Sequence, residues 1–299
     1  MSSIFNLFRS SSASDFSLPY ARKTADWNIV LWLLVPAWLL FWLWTNPPHG
    51  FDLAFEHQFY VNNAWPLHAD GRIEFWLHFM PKVISGVLFA CVLGALTYLH
   101  QCRRAAVILG DHEDAAHCNL ILSRLYYAVG AALLCVGLLW WLKQSTGVSC
   151  PWSVTEFGGS AAVADPGLPF LPKPGRCWPS GAAGSGFCLL PLYFAFRDFR
   201  PRLARLLLAL ALLSGFGAGF ARVVVGAHFP SHVFAALALD WLISAGIYIA
   251  AFDRAGLVRK LRALLPFGRR STEDQPGRVT LYLFTSLWWA IVFNGPMTA

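Results

Sequence analysis

The sequence predicts an all-α protein, a polytopic bundle of membrane-spanning helices. Of its 299 residues, 57% are apolar and 13% are charged, and the mean hydropathy is +0.50. Soluble domains average about 45–50% apolar and about 25% charged residues. The chain also carries 14 tryptophans, a residue type that concentrates at the two membrane–water interfaces. This composition excludes a soluble cytosolic enzyme and a disordered chain.

Seven apolar stretches approach the roughly 20 residues that a helix needs to cross a bilayer. They cover approximately residues 27–44, 83–100, 125–142, 184–196, 204–220, 230–252 and 279–297. The fourth stretch is short and needs support from the flanking Trp178 and Pro179. The first begins late and is not followed by a small-residue cleavage site, so we expect it to remain in the protein as an anchor.

These stretches divide the chain into four predicted segments. They are a Ser-rich cytoplasmic segment at 1–26, a six-span core at 27–252, a basic cytoplasmic loop at 253–278 and a seventh transmembrane helix at 279–299. Within the core, residues 51–60 mix apolar and polar positions, which favours an amphipathic helix along the membrane surface. Residues 143–182 form a Gly- and Pro-rich outer loop without helical or strand periodicity, and long loops of this kind tend to be functional.

The basic residues predict the orientation of the protein in the membrane. The net charge is +7, and 17 of the 23 Lys and Arg residues fall in segments on the same side as the N-terminus. The positive-inside rule places that side in the cytoplasm and, with seven spans, the C-terminus outside. Because this rule accounts for the basic charge and no basic patch carries interleaved aromatic residues, no nucleic-acid partner is expected.

Seven cysteines are present, and two of them lie in the same predicted outer loop. Cys150 and Cys177 have no other outer cysteine as a partner, in a compartment where disulfides persist. The sequence predicts a Cys150–Cys177 disulfide, with two free thiols as the alternative. The other five cysteines lie in spans or in a cytoplasmic loop, where we expect reduced thiols.

Three predicted outer segments hold an unusual share of the polar side chains. One follows the third span, one opens the fourth span, and one joins the fifth span to the sixth. Their candidate functional residues are, in that order, Lys143; Arg176, Ser180 and Gly181; and Arg222, His228 and His232. Since all three segments are predicted at one membrane surface, the sequence favours a single site there.

The residue types in these segments suit phosphate chemistry. Lysine and arginine cations pair with phosphate oxygens, and the free N–H groups at a helix start bind anions. A neutral His228 imidazole can attack phosphorus, and His232, four residues further on, can orient or protonate its neighbour. Other interpretations are open: arginines that reach lipid headgroups, an ordinary helix start, or a metal half-site with Glu156 or Asp165. We expect no metal and no other cofactor.

The spacing of these residues resembles a known family, the type 2 phosphatidic acid phosphatases, which are integral-membrane lipid phosphate phosphatases. The family pattern is Lys, six residues, Arg-Pro; then Pro-Ser-Gly-His; then Ser-Arg, five residues, His, three residues, Asp. This chain has Lys143, six residues, Cys150-Pro151; then Pro179-Ser180-Gly181-Ala182; then Ala221-Arg222, five residues, His228, three residues, His232. The resemblance covers 27–252 and implies a six-helix phosphatase-like core, to which the seventh helix is an addition.

The resemblance also implies roles for individual residues. His228 would be the nucleophile that forms a phosphohistidine. Lys143, Ser180, Gly181 and Arg222 would hold the phosphate.

Three positions depart from the family pattern. Ala182 stands where the histidine that protonates the leaving group is expected, and a methyl group cannot donate a proton. His232 replaces the Asp that orients the nucleophile, and can accept a hydrogen bond as a neutral tautomer. Cys150 replaces the first-motif Arg, for which Arg176 is a candidate substitute.

The resemblance therefore implies a membrane phosphatase that acts on a lipid phosphate or pyrophosphate at the periplasmic face of a bacterial inner membrane. If Ala182 has no substitute, the protein is inactive as it stands. The resemblance implies undecaprenyl pyrophosphate, lipid A or phosphatidylglycerol phosphate as the type of substrate. The alternatives are a catalytically silent relative that binds a lipid phosphate and a lipid-to-lipid phosphotransferase. The oligomeric state is left open.

Overall fold

The computed structural model describes residues 28–68, 70–167, 175–254 and 257–258. Residues 1–257 belong to one compact unit and 258–299 to a second one, of which only Val258 is described. The predictions for 1–26, for most of 253–278 and for the seventh span at 279–299 lie outside the described residues. Within them every regular element is a helix, which confirms the predicted all-α class.

Eight α-helices longer than one turn lie among the described residues of the first unit. They are α1 (Asn28–Thr45), α2 (His49–Glu56), α3 (Met80–Ile108), α4 (His112–Ser145), α5 (Gly181–Phe187), α6 (Leu190–Phe196), α7 (Pro201–Val223) and α8 (Pro230–Phe252). A single helical turn, Gly71–Ile73, and a π-helical segment, Glu74–Phe79, lead into α3. Two short 3₁₀ turns, Pro151–Ser153 and Thr155–Phe157, interrupt the long loop after α4.

Four of these helices, α3, α4, α7 and α8, are long and apolar enough to cross a membrane. Helix α1 forms a pair with α2, bent by 84°, and would provide a fifth crossing if the pair counts as one span. The predicted fourth span is divided: α5 and α6 together form a shorter apolar segment, Gly181–Phe196. The protein is therefore a multi-pass membrane protein of helical bundle type.

Close contact between α5 and α7 fixes the position of the short helix. A Cβ atom on Gly186 would lie 2.3 Å from the backbone nitrogen of Gly215, and one on Gly215 would lie 2.2 Å from the Phe187 ring. Glycines at such crossings let helix backbones approach each other, which is the usual basis of helix packing in membranes. As a result the N-terminus of α5 is held beside the end of α7 and the start of α8.

An ion pair connects the helices at the opposite end of the bundle. The Arg124 guanidinium lies 2.9 Å from the Asp198 carboxylate, which also accepts a 2.6 Å hydrogen bond from the Tyr248 hydroxyl. The same guanidinium lies over the Phe252 ring, 3.9 Å from its centroid. These contacts join α4, the turn after α6, and α8 at the end remote from the three motifs.

Candidate active site

The three motif segments meet at one end of the bundle. The Ser180 N–H donates to the His232 carbonyl at 3.0 Å, which joins the start of α5 to α8. A Cβ atom on Gly181 would lie 3.8 Å from the Lys143 Nζ, so the end of α4 reaches the same place. The Arg222 carbonyl, in the last turn of α7, accepts from the N–H groups of Ala227 at 2.7 Å and His228 at 3.2 Å. Residues distant in sequence therefore form one cluster.

Two cations lie close together in this cluster. Lys143 is half-buried, and Arg222 lies close enough for the two charges to repel each other. The Arg222 guanidinium also lies 5.7 Å from the centroid of the Trp152 ring. Two like charges held together gain electrostatic energy when an anion binds between them. The geometry thus provides an anion-binding environment.

Ser180 begins α5 in the manner of an N-cap. Its hydroxyl accepts from the Ala183 N–H at 3.4 Å, and the side chain is fully buried. Ala182, in the first helical turn, is also buried and offers only a methyl group at the position of the expected acid. Arg176 is exposed on the loop that precedes α5. Whether its guanidinium serves the site stays a prediction.

The His228 ring is buried and oriented by a backbone group. Its Nδ1 lies 2.8 Å from the carbonyl oxygen of Cys177. Because a carbonyl only accepts, Nδ1 carries the proton, and Nε2 is left with its lone pair. Burial lowers the pKa of His228 well below its ordinary value, and the nearby His232, Lys143 and Arg222 lower it further. The ring is therefore neutral at pH 7, as a nucleophilic imidazole must be.

His232 is buried beside His228, with the two ring centroids 5.9 Å apart. Among the described residues no group hydrogen-bonds to its Nδ1. The orienting contact to His228 that the resemblance gives to position 232 is made here by the Cys177 carbonyl instead.

The predicted Cys150–Cys177 disulfide is confirmed: the two Cα atoms are 5.2 Å apart and the residues are separated by 27 positions. The bond connects the loop after α4 to the segment before α5. The Cys177 sulfur and the rings of His228 and His232 place one ligand atom each within 4.8 Å of one another. Since this sulfur is bonded to Cys150, only two imidazoles are available there as metal ligands.

An acidic residue that the sequence interpretation missed also supports the site. The Asp52 carboxylate, on α2, accepts from the Ser231 N–H at 3.1 Å and from the Ser231 hydroxyl at 2.5 Å. It thereby caps the start of α8, where a negative charge is favourable. A small cavity of about the size of one water lies beside it, lined in part by His49 and His232.

A signal for Asp52 exists in the sequence. Asp52 and Glu56 are four residues apart on the predicted amphipathic helix, so they share one helix face. That face is buried in α2, whereas Phe51 is exposed. The polar side of this helix therefore points into the protein.

Taken together, the apolar helical bundle and the neutral histidine beside two cations are features that suit a membrane phosphatase. Residues 122–255 match the model of the PAP2 superfamily, and over that stretch the resemblance to type 2 phosphatidic acid phosphatases is confirmed. The matched residues include all three motif segments. No curated protein and no solved structure matches the chain.

Proposed function

We propose that this protein is a membrane phosphatase that removes phosphate from a lipid phosphate or pyrophosphate through a phosphohistidine on His228. The observation that carries the proposal is the tautomer of the buried His228 ring. Its Nδ1 proton is engaged by a carbonyl, while Nε2 keeps its lone pair close to two cations. This is the arrangement that in-line attack on phosphorus requires.

In the first step a bond forms between His228 Nε2 and phosphorus as the bond from phosphorus to the lipid oxygen breaks. Lys143 and Arg222 neutralise the charge on the equatorial oxygens. The Gly181 N–H and the Ser180 hydroxyl are the donors that the resemblance implies, since the Ser180 N–H is already bonded to the His232 carbonyl. The leaving oxygen takes up a proton. Water then attacks the phosphohistidine, breaks the P–N bond, and releases inorganic phosphate and free imidazole.

This chain lacks the side chain that donates a proton to the leaving oxygen in the family pattern. The family pattern supplies this proton from the side chain at position 182, where this protein has alanine. A positioned general acid typically contributes about 10²–10⁴-fold to a rate. We therefore propose that the sequence as given turns over slowly.

Substrate and location follow from the membrane setting. A site at the end of a bundle of apolar helices is reached most directly by a phosphate attached to a membrane lipid. Undecaprenyl pyrophosphate, lipid A and phosphatidylglycerol phosphate are the candidate types. We place the protein in a bacterial inner membrane with a cytoplasmic N-terminus and a periplasmic site, because the basic residues are biased to one side and the disulfide belongs to an oxidising compartment.

Ala182 favours one alternative, a silent relative that binds a lipid phosphate without cleaving it. A lipid-to-lipid phosphotransferase differs only in the acceptor that attacks the phosphohistidine.

The test compares the chain as given with Ala182→His and with Ala182→His combined with His228→Ala. Phosphate release from the three lipids is measured in detergent micelles, and acid-labile labelling from a ³²P-lipid traps the intermediate. We expect release and labelling with Ala182→His, and neither after the second change. Binding without release in every variant supports the silent relative, while transfer of label to a second lipid identifies a phosphotransferase. Full activity of the His228→Ala protein overturns the mechanism.

A further inference from the structure

We propose that the backbone carbonyl of Cys177, held in place by the Cys150–Cys177 disulfide, is the group that positions the nucleophilic histidine. It performs here the orienting task that an acidic side chain performs in the family pattern. The proposal rests on the proposed function, because it concerns the same histidine. It adds a requirement of its own, an intact disulfide for catalysis.

The first step of the argument is the contact itself. The Cys177 oxygen lies 2.8 Å from the His228 Nδ1, and both residues are buried. Turning the ring over about its Cβ–Cγ bond would remove this hydrogen bond and put a carbon atom, Cε1, where Nε2 lies. A single buried acceptor therefore decides which nitrogen of His228 can react.

The second step concerns what holds this carbonyl. The Cys177 N–H donates to the Val148 carbonyl at 3.1 Å, and the Cys177 sulfur is bonded to Cys150. Two residues after Cys150, the Trp152 N–H donates to the Gly226 carbonyl at 2.9 Å. Gly226 is itself two residues before His228. The disulfide thus ties the segment that bears the acceptor to the loop that touches the histidine segment.

The third step links two departures from the family pattern. Cys150 occupies the place of the first-motif Arg, and His232 occupies the place of the orienting Asp. If the disulfide and the Cys177 carbonyl orient the nucleophile, an acid at position 232 is no longer required for that task. One structural device accounts for both changes.

A consequence distinguishes this role from simple stabilisation. Lys143 and Arg222 belong to α4 and α7, so breaking the disulfide leaves the cations on their own helices. Phosphate binding should persist while attack on phosphorus slows. A carboxylate at position 232 should then restore an acceptor for the His228 Nδ1.

The experiment uses the full chain with Ala182→His, so that turnover is measurable. In this background we expect Cys150→Ser with Cys177→Ser to lower kcat by about 10–100-fold, the usual effect of losing an orienting partner, and to leave KM nearly unchanged. Adding His232→Asp to the disulfide-free protein should recover most of the loss, whereas the same change should give no increase in the oxidised protein. Cys91→Ser, which removes an exposed free cysteine, is the matched control and should have no effect.

Two outcomes overturn the proposal. One is an unchanged kcat without the disulfide. The other is a loss that His232→Asp does not recover, which would make the disulfide a purely structural link. The ¹⁵N spectrum of His228 in the oxidised protein gives a check that does not depend on how the variants fold: we expect a protonated Nδ1, and a protonated Nε2 would contradict the proposal. Retained activity after His228→Ala would refute the proposed function itself, so the two failures are distinguishable.

Discussion

Replacing Ala182 by histidine should convert a slow protein into an active phosphatase. The side chain at 182 stands in the first turn of α5, directly after Gly181, whose Cβ position lies 3.8 Å from the Lys143 Nζ. A histidine at 182 is one residue from Gly181 and therefore close to the cation that we propose holds the phosphate, and under that proposal its imidazolium protonates the departing oxygen. General acids of this kind contribute about 10²–10⁴-fold, which corresponds to about 3–5 kcal/mol of activation free energy.

The matched control for this change is Ala182→Phe, which introduces a ring of similar size that cannot donate a proton. Phosphate release from a lipid phosphate in detergent is measured for all three proteins across a range of substrate concentrations. We expect kcat to rise by at least about 100-fold with histidine and not with phenylalanine. An equal rise with both residues would mean that the pocket was merely underfilled. If the alanine protein already releases phosphate and histidine gives no rise, another group donates the proton, whereas no release from any of the three proteins would support the silent relative.

The remaining predictions test other parts of the site. In the Ala182→His protein, Arg222→Ala should raise Kd for the lipid phosphate and lower kcat/KM by about 10–150-fold, because charge-assisted hydrogen bonds are worth about 1.5–3 kcal/mol. Arg222→Lys should recover part of the loss. Asp52→Ala leaves the buried donors of Ser231 unpaired, so it should lower the free energy of unfolding by about 1–3 kcal/mol in a thermal or denaturant titration. An unchanged stability would contradict the capping role. The lowered pKa of His228 keeps the ring neutral as the pH falls, so kcat/KM should show no loss centred at about 6.5, the ordinary pKa of histidine. In the unfolded chain His228 has its ordinary pKa and binds a proton more readily than in the folded protein. The contribution of His228 to the free energy of unfolding should therefore decline as the pH drops below about 6.5, which pH-dependent unfolding can check. A chelator should leave turnover intact, because lysine and arginine supply the positive charge, and inhibition reversed by added Zn²⁺ would contradict this.

Much of the fold could be predicted from local sequence alone. Continuous apolar runs require helices in a bilayer, since every backbone N–H and C=O must be satisfied within the segment. The predicted spans at 83–100, 125–142, 204–220 and 230–252 accordingly coincide with long helices. The division of the fourth predicted span into α5 and α6 was harder to predict from the sequence, because it depends on how α5 packs against α7.

The candidate site shows the same division between local and long-range information. Lys143, Arg222 and His228 were found because their order and spacing form a pattern that can be read along the chain. The disulfide was also predictable, since only two cysteines lie in the predicted outer segments.

By itself, then, the sequence determined the class of protein, the apolar helices, the disulfide and the candidate nucleophile. All of these follow from the types of the residues and their spacing along the chain. Only the tertiary structure decided that Asp52 caps the start of α8 across 179 positions, and that the Cys177 carbonyl contacts the His228 Nδ1 across 51. The physical reason is that a backbone carbonyl is chemically the same at every residue. Which carbonyl serves as the acceptor depends on where folding brings it, and no residue type reveals that in advance.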